Sequence, residues 1–128
     1  MPKTERVYAA LGNEVRVAIL RQLTIHGPSC ACEIIQWLRL GKTTVSYHVS
    51  RLRAAGLINE KKIGRWRVLQ INWDTLERYA PPLAEELRAL PKANVPPLSE
   101  RIGRCGAMDS IGARAACQEK VRNDGRHE

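Results

Sequence analysis

Apolar side chains recur every three or four residues along the first part of the chain, the spacing that places them on one side of a helix. This pattern predicts a short helix over residues 3–12 and a second helix from Val15 to Leu23. Asn13 is a favourable N-cap for the second helix, and Gly27 is a favourable stop for it. A third helix is predicted from about Cys32 or Glu33 to Leu38.

The pattern then changes from helical spacing to strand spacing. Apolar residues at i, i+4 and i+7 predict a fourth helix over Lys42 to Ala55. Two runs of β-forming residues, Leu57 to Lys62 and Trp66 to Ile71, flank a glycine-containing turn as in a β-hairpin. Two helices followed by a short hairpin are the order of a winged helix-turn-helix. The predicted fold class is therefore mainly α with a small β-hairpin.

Helical spacing returns over residues 73–90, where alternating steps of three and four form the kind of seam along which two helices pack. Pro81 and Pro82 interrupt the pattern and predict a kink or a new helix start. Because the seam is longer than one small winged domain needs to cover itself, we expect a homodimer. The apolar residues of this seam are Trp73, Leu76, Ala80, Leu83, Leu87 and Leu90.

From Pro91 onward, prolines, glycines and scattered charges replace the periodic pattern, and large apolar residues are few. A chain of 128 residues is long enough for one domain with a modest core and an additional tail. We therefore predict a folded domain over residues 1–90 and a flexible tail over 91–128, in which a short helix near 107–122 is conceivable.

The net charge of +8 is concentrated in one segment. Residues 39–67 carry eight basic groups against one acid, Glu60, which leaves +7 within 29 residues. Concentrated positive charge is typical of a protein that binds a polyanion. In a winged helix-turn-helix the fourth helix would enter the major groove and the hairpin would contact phosphates, so double-stranded DNA is the expected partner.

The candidate DNA contacts are the polar and basic residues of these two elements. His48 either packs internally or touches a phosphate, and Ser46 either contacts DNA or is simply solvated. The full set is Lys42, Thr43, Thr44, Ser46, Tyr47, His48, Arg51 and Arg53 on the helix, and Lys61, Lys62, Arg65 and Arg67 on the hairpin.

Other classes of protein are disfavoured. The chain has no apolar run near the roughly 18 residues that a membrane span needs, and no signal segment at its start, so we expect a cytoplasmic protein without membrane contact. Its histidines have no evident nucleophile to activate, and no glycine-rich phosphate loop is present. We therefore do not expect an enzyme.

Two cysteines, Cys30 and Cys32, stand immediately before the predicted third helix. In a cytosolic chain, cysteines are more often metal ligands or redox thiols than structural disulfides. Thiolates select soft metals, and a helix N-terminus lowers a thiol pKa, so both residues are expected to bind as thiolates. Residues two apart in a continuous helix point about 200° apart. One ion can therefore bridge both sulfurs only if the first turn is non-helical or distorts on binding. The alternative is that they are small buried apolar residues.

The sequence resembles the ArsR/SmtB family of metal-sensing repressors. The resemblance covers about residues 5–75 and is carried by ALGNEVRVAIL at 10–20, SCACEI at 29–34, TTVSYHV at 43–49, LRAAGLI at 52–58 and GRW at 64–66. It implies a dimeric winged-helix repressor that leaves its operator when a metal or metalloid binds.

Cys30 and Cys32 fall on the family's Cys-Val-Cys-Asp-type motif, which implies thiolate ligands for As(III) or Sb(III). The chain departs from the family in having isoleucine at position 35, where some members carry a third cysteine, and no cysteine before residue 30. Residues 73–90 contain no histidine, which excludes the family's final-helix zinc site. A third thiolate would have to be Cys105 or Cys117. Hg(II), which needs only two sulfurs, is the alternative inducer, and a thiol redox sensor is a further alternative.

Overall fold

The computed structural model describes residues 4–64, 66–98 and 100–101. Most of the ordered elements are helices, and a small antiparallel sheet completes the fold, so the predicted fold class is confirmed. In chain order the elements are α1 (Thr4–Leu11), α2 (Glu14–His26), β1 (Ser29–Cys30), α3 (Ala31–Leu38), α4 (Lys42–Ala54), β2 (Ile58–Ile63), β3 (Trp66–Ile71), α5 (Trp73–Tyr79) and α6 (Pro81–Arg88). Within these residues, no helix is both long and apolar enough to cross a membrane.

The helix boundaries follow the local chemistry that the sequence indicates. The Asn13 side chain accepts hydrogen bonds from the backbone N–H groups of Val15 and Arg16, as expected of an N-cap. Gly27 ends α2 with a positive φ of 76°. Pro81 occupies the start of α6, where its missing N–H costs no helical hydrogen bond. The interrupted pattern at 73–90 is thus a new helix start.

The sheet contains one strand more than the predicted hairpin. Strands β2 and β3 pair with Ile58 opposite Ile71 and Ile63 opposite Trp66, and Gly64 takes a positive φ of 62° in the turn. The two-residue strand β1 pairs with the other edge of β3, so that Cys30 lies opposite Val68. The segment before α3 is therefore hydrogen-bonded to the wing.

The hydrophobic core lies between α1–α4, the base of the hairpin and the two final helices. Two leucines of the predicted dimer seam, Leu76 and Leu87, have no exposed surface because they pack into this core. These two residues therefore belong to the core of the domain, and the homodimer expected from the length of the seam stays a prediction. Trp73, Leu83 and Leu90 are only partly buried against the core.

The first residues after α6 lie against the domain. The backbone N–H of Ala93 donates to the carbonyl of Ile25 at 3.0 Å, and Arg101 is 9% exposed. This contact departs from the expectation of a loose tail beginning at Pro91. Cys105, Cys117 and the conceivable helix near 107–122 lie outside the described residues.

Candidate DNA interface and cysteine site

Helix α4 presents most of the predicted DNA-contacting side chains on one exposed face. Buried Val45, Val49 and Leu52 hold the opposite face in the core. Because these three residues fix the rotation of the helix, the polar side chains share the outer surface. The exposed predicted residues are Thr43, Thr44, Ser46, Tyr47, Arg51 and Arg53, and Lys42 is half-buried at the start of the helix.

Tyr47 and Arg51 form a pair on this face. Arg51 Nε donates to the Tyr47 hydroxyl at 3.3 Å, and its guanidinium lies 5.4 Å from the centre of the Tyr47 ring. The hydrogen bond from Arg51 lowers the pKa of Tyr47. The Arg51 guanidinium and the Tyr47 ring are therefore in contact, although the two residues are one helical turn apart on the exposed face of α4.

His48 contacts the Tyr47 ring edge to face, with the ring centres 5.1 Å apart, and it also contacts α2. Its Nδ1 accepts a hydrogen bond from Arg16 Nε at 3.1 Å, so it ties α4 to α2. Burial, followed by the positive charge of Arg16, lowers the pKa of His48. The hydrogen bond to Arg16 describes one side of the His48 ring, and a phosphate contact of His48 stays a prediction.

The wing carries exposed Lys61, Lys62 and Arg67, whereas Arg65 lies outside the described residues. Glu60 connects the wing to α4. Its two carboxylate oxygens accept from Arg53 at 2.9 Å and from Arg67 at 2.8 Å. The one acidic residue of the basic segment thus holds arginines of two elements side by side, a role that its position in the sequence did not reveal.

We expect Arg67→Ala to weaken DNA binding to about the same extent on every sequence and to lower the salt dependence. Its side chain is 70% exposed at the wing, so it suits a phosphate contact. Losing one phosphate contact should reduce the slope of log K against log salt by about 0.9. Fluorescence anisotropy of labelled DNA over a salt series measures this slope.

Arg21→Ala is the matched control for this measurement. It removes the same charge from α2, on the side where Arg21 faces Glu86. An Arg67→Ala slope equal to that of Arg21→Ala would contradict a contact between the wing and DNA.

Cys30 and Cys32 approach each other at the start of α3. Cys30 ends β1 in an extended conformation, with φ −85° and ψ 157°, and acts as N-cap of the helix in which Cys32 is the second residue. Since the chain is not yet helical at Cys30, the two side chains converge, and their Sγ atoms are 2.8 Å apart. A shared ion was expected to require either a non-helical first turn or a distortion on binding. The extended conformation of Cys30 corresponds to the first of these alternatives.

The environment of Cys30 contradicts the expectation of a lowered pKa. The residue is 3% exposed and carries a free thiol. Burial, followed by the negative charge of Glu33, raises the pKa of Cys30 to about 11, although the backbone N–H groups of Glu33 and Cys32 act in the opposite direction. The helix N-terminus is present, but desolvation and a carboxylate outweigh it. Cys30 is therefore protonated near neutral pH.

Glu33 and Arg101 form a buried ion pair beside the cysteines. Glu33 Oε1 accepts from the backbone N–H of Cys30 at 3.1 Å, and its Oε2 accepts from Arg101 Nε at 2.8 Å. The two side chains are 8% and 9% exposed. The remaining guanidinium nitrogens donate to the carbonyls of Pro96 and Pro28, at 2.9 and 2.7 Å. The sequence alone missed both residues, since nothing in an arginine of the tail indicates a buried partner.

A cavity of about 540 Å³ opens beside the two sulfurs. Cys30 and Cys32 line one wall, Ser46 and Val49 of α4 line a second, and Lys62 and Trp66 of the wing line a third. The cavity therefore lies between the two cysteines and residues of α4 and the wing that are predicted to contact DNA.

The described residues hold two of the four predicted metal ligands. Among residues 4–64, 66–98 and 100–101, no group of three His, Cys, Asp or Glu side chains is placed to hold a metal ion. The Glu33 carboxylate, the nearest candidate by sequence, is already bound to Arg101 and to the Cys30 backbone.

Comparison with known proteins agrees with this architecture. A solved structure described as an ArsR-like transcriptional regulator from Rhodococcus sp. RHA1 matches with a TM-score of 0.56 at 22% identity, over 84% of this chain and 93% of that one. This likeness supports the winged-helix fold.

Residues 13–60 match the family model "Bacterial regulatory protein, arsR family". The uncharacterised HTH-type transcriptional regulator YceK of Bacillus subtilis is 36% identical over 83 residues, 64% of this chain and 83% of that protein. An arsenical resistance operon repressor of the same organism is 29% identical over 66% of this chain and 78% of its own length. Family and fold are those of DNA-binding transcriptional regulators rather than enzymes. The chain belongs to the arsR family of bacterial regulatory proteins.

Proposed function

We propose that the protein is a transcriptional repressor that leaves its operator when As(III) or Sb(III) binds to Cys30 and Cys32. The observation that carries the proposal is the convergence of the two Sγ atoms to 2.8 Å on the wall of a cavity shared with α4 and the wing. Sulfur ligands select soft ions, which fits this pair of donors. Relatives named as arsenical resistance operon repressors, in Bacillus subtilis and Escherichia coli, point to the same class of inducer.

The raised pKa of Cys30 suits this inducer. Arsenous acid is neutral near pH 7 and carries hydroxyl groups on arsenic. When a protonated thiol reacts with it, an As–S bond forms, an As–O bond breaks, and the thiol proton leaves with the hydroxyl as water. The oxidation states of arsenic and sulfur do not change. A buried thiol with a pKa of about 11 can thus enter the complex without first releasing its proton to solvent.

Two connections lead from the cysteines to the DNA-binding surface. Cys30 is opposite Val68 in the β1–β3 pairing, so a shift at residue 30 acts directly on a strand of the wing. Cys32 lies in α3, which packs against α4 in the helix-turn-helix. Two sulfurs bound to one ion separate beyond 2.8 Å, since metal–sulfur bonds are about 2.3 Å long and tetrahedral or trigonal angles are wide. We infer that this separation changes the angle between the wing and α4.

The proposal is tested by operator binding in the presence of different ions. DNA ligands are first selected from a random pool with the metal-free, reduced protein, and the affinity is then measured with As(III), Sb(III), Hg(II), Cd(II), Pb(II) and Zn(II). Release at the lowest concentrations of As(III) and Sb(III) is the expected result. Release by Hg(II) alone would favour the two-sulfur alternative, and release by peroxide without any ion would favour a redox sensor.

The repressor is also proposed to act as a homodimer. Tyr8 of α1 is 55% exposed, and Trp73, Leu83 and Leu90 of the final segment are only half-buried. A two-fold dimer through such a surface would match a pseudo-palindromic operator.

We expect Leu83→Glu to convert the dimer into a monomer, because it would bury an unpaired charge at the interface. Sedimentation velocity at micromolar concentration measures the change. Glu85→Gln, an exposed position on the same helix, is the control and should leave the dimer intact. A wild-type protein that sediments as a monomer with and without DNA would contradict the dimer.

A further inference from the structure

A second cavity, of about 510 Å³, lies between α1, α2 and the C-terminal half of α4. Three arginines line it, Arg6 from α1, Arg16 from α2 and Arg51 from α4, and the other lining residues are alanines. The wall of this cavity therefore carries positive charge without an acidic side chain, and the small alanine side chains leave space beside the arginines. We call it the arginine cavity.

Hydrogen bonds within the protein orient two of the three arginines through their Nε atoms. Arg16 Nε donates to His48 Nδ1 at 3.1 Å, and Arg51 Nε donates to the Tyr47 hydroxyl at 3.3 Å. Because the Tyr47 and His48 rings are in edge-to-face contact, one connected group of side chains holds both guanidinium groups. Arg16 Nη1 also donates to two backbone carbonyls of α1. In the part of the chain that the structure describes, Arg16 Nη2 and both terminal nitrogens of Arg51 have no hydrogen-bond acceptor.

The charges of the arginine cavity are not neutralised by the protein. Among residues 4–64, 66–98 and 100–101, none of its three arginines pairs with a carboxylate. In contrast, Arg53 and Arg67 beside the wing share the carboxylate of Glu60. Like charges around one space repel one another, and an anion between them removes this cost. Guanidinium groups bind phosphate oxygens through paired N–H donors, so the cavity has the chemistry of a phosphate site.

The position of the arginine cavity on α4 indicates where its phosphate comes from. Successive residues of a helix are rotated by about 100°, so Arg51 and Ala55 lie to one side of the exposed face of α4 and Ser46 and Arg53 to the other. Ser46 and Arg53 line the cavity beside the wing. The exposed face that carries the predicted base contacts therefore lies between the wing and the arginine cavity. A major groove is bordered by a phosphate backbone on each side, and the wing is predicted to contact one of them.

We propose that Arg6, Arg16 and Arg51 together bind one phosphate of the DNA backbone, on the side of the major groove opposite the wing. This inference rests on the DNA-binding part of the proposed function. It extends the interface to α1 and α2, because Arg6 and Arg16 were not among the predicted DNA contacts. Tyr47 and His48 become positioning residues for the two arginines in addition to any contact of their own with DNA.

The test measures the coupling between Arg6 and one phosphate of the DNA. Arg6 is chosen because its side chain is exposed, whereas Arg16 also holds α1 in place. Duplexes of the selected operator are made in which a neutral methylphosphonate replaces one backbone phosphate at a time. Their affinity for the metal-free, reduced, full-length protein is measured by fluorescence anisotropy. For the wild-type protein, neutralising one particular phosphate in each half of the duplex should weaken binding about tenfold.

Arg6→Ala should weaken binding to the unmodified duplex by a similar factor and lower the slope of log K against log salt by about 0.9. On the duplex that is already neutral at the coupled phosphate, the same substitution should have no further effect. Arg6→Lys keeps the charge but loses the paired donors, so it should retain the salt slope and lose part of the affinity. Arg21→Ala, which removes a charge facing Glu86 on α2, is the matched control, and its effect should be the same on every duplex.

An Arg6→Ala effect of equal size on every duplex, or no effect at all, would overturn the phosphate site. Titration with inorganic phosphate, followed by ³¹P NMR, separates the other source of the same chemistry. Binding of inorganic phosphate that depends on Arg6, beside DNA binding that does not, would show that the cavity serves a free phosphate and that the assignment to DNA is wrong. A wild-type protein that binds no DNA would contradict the proposed function as well, whereas operator binding and As(III) release that do not depend on Arg6 would contradict this inference alone.

Discussion

The Cys30→Ser and Cys32→Ser variants are expected to remain bound to operator DNA at As(III) concentrations that release the wild-type protein completely. Each substitution removes one of the two sulfurs that lie 2.8 Å apart, and a hydroxyl is a poor ligand for a soft ion. Operator affinity without As(III) should remain nearly unchanged, because neither residue lies on the exposed face of α4 or on the basic strands of the wing.

Anisotropy titrations of operator DNA, with and without As(III), measure both quantities. Cys30 is buried, so a serine hydroxyl there costs about 1–3 kcal/mol of stability, and thermal unfolding must be recorded beside the binding data. Ala31→Ser is the matched control, since it introduces the same hydroxyl between the two cysteines and leaves both sulfurs in place. A folded double mutant that still binds As(III) and leaves DNA would show that the cysteine pair is structural.

The elements of this fold could largely be predicted because each is specified locally. Asn13 caps α2, Gly64 forms the hairpin turn and Pro81 begins α6, all through interactions within a few residues. Strand β1 could not be predicted, since two residues have no periodicity and pair only with the distant edge of β3. The burial of Leu76 and Leu87 in the core could not be predicted either. A run of leucines at helical spacing has the same sequence pattern whether it packs into the core of its own domain or against a partner.

The candidate site was predictable only in part. The spacing of Cys30 and Cys32 indicated a shared ligand, and the extended conformation at Cys30 supplies the geometry that such a ligand requires. The protonation state of Cys30 was predicted wrongly, because it depends on burial and on Glu33, which are properties of the folded chain. Arg101 came from the segment predicted to be loose, and its partner is 68 positions away.

The raised pKa of Cys30 leads to different pH dependences for two kinds of ion: As(III) affinity should not change with pH, whereas Cd(II) affinity should rise with it. Arsenous acid removes the thiol proton as water, so between pH 6 and 8 the part of the As(III) affinity that depends on Cys30 should stay constant within about threefold. An aquated ion such as Cd(II) must instead displace that proton into solvent. Its affinity should rise about tenfold per pH unit from Cys30 alone, or about a hundredfold over the same range.

Isothermal titration calorimetry in buffers of different ionisation enthalpy counts the protons directly, and Cys30→Ser separates the contribution of this thiol from that of the others. The pH dependence of the As(III) affinity distinguishes a protonated Cys30 from a thiolate. Were Cys30 a thiolate near neutral pH, As(III) binding would have to take up a proton to release water, and affinity would fall about tenfold per pH unit as the pH rises. Cd(II) affinity would then be independent of Cys30 protonation. Such a result would mean that the helix N-terminus outweighs the burial of Cys30 and the charge of Glu33, contrary to the contacts in the structure.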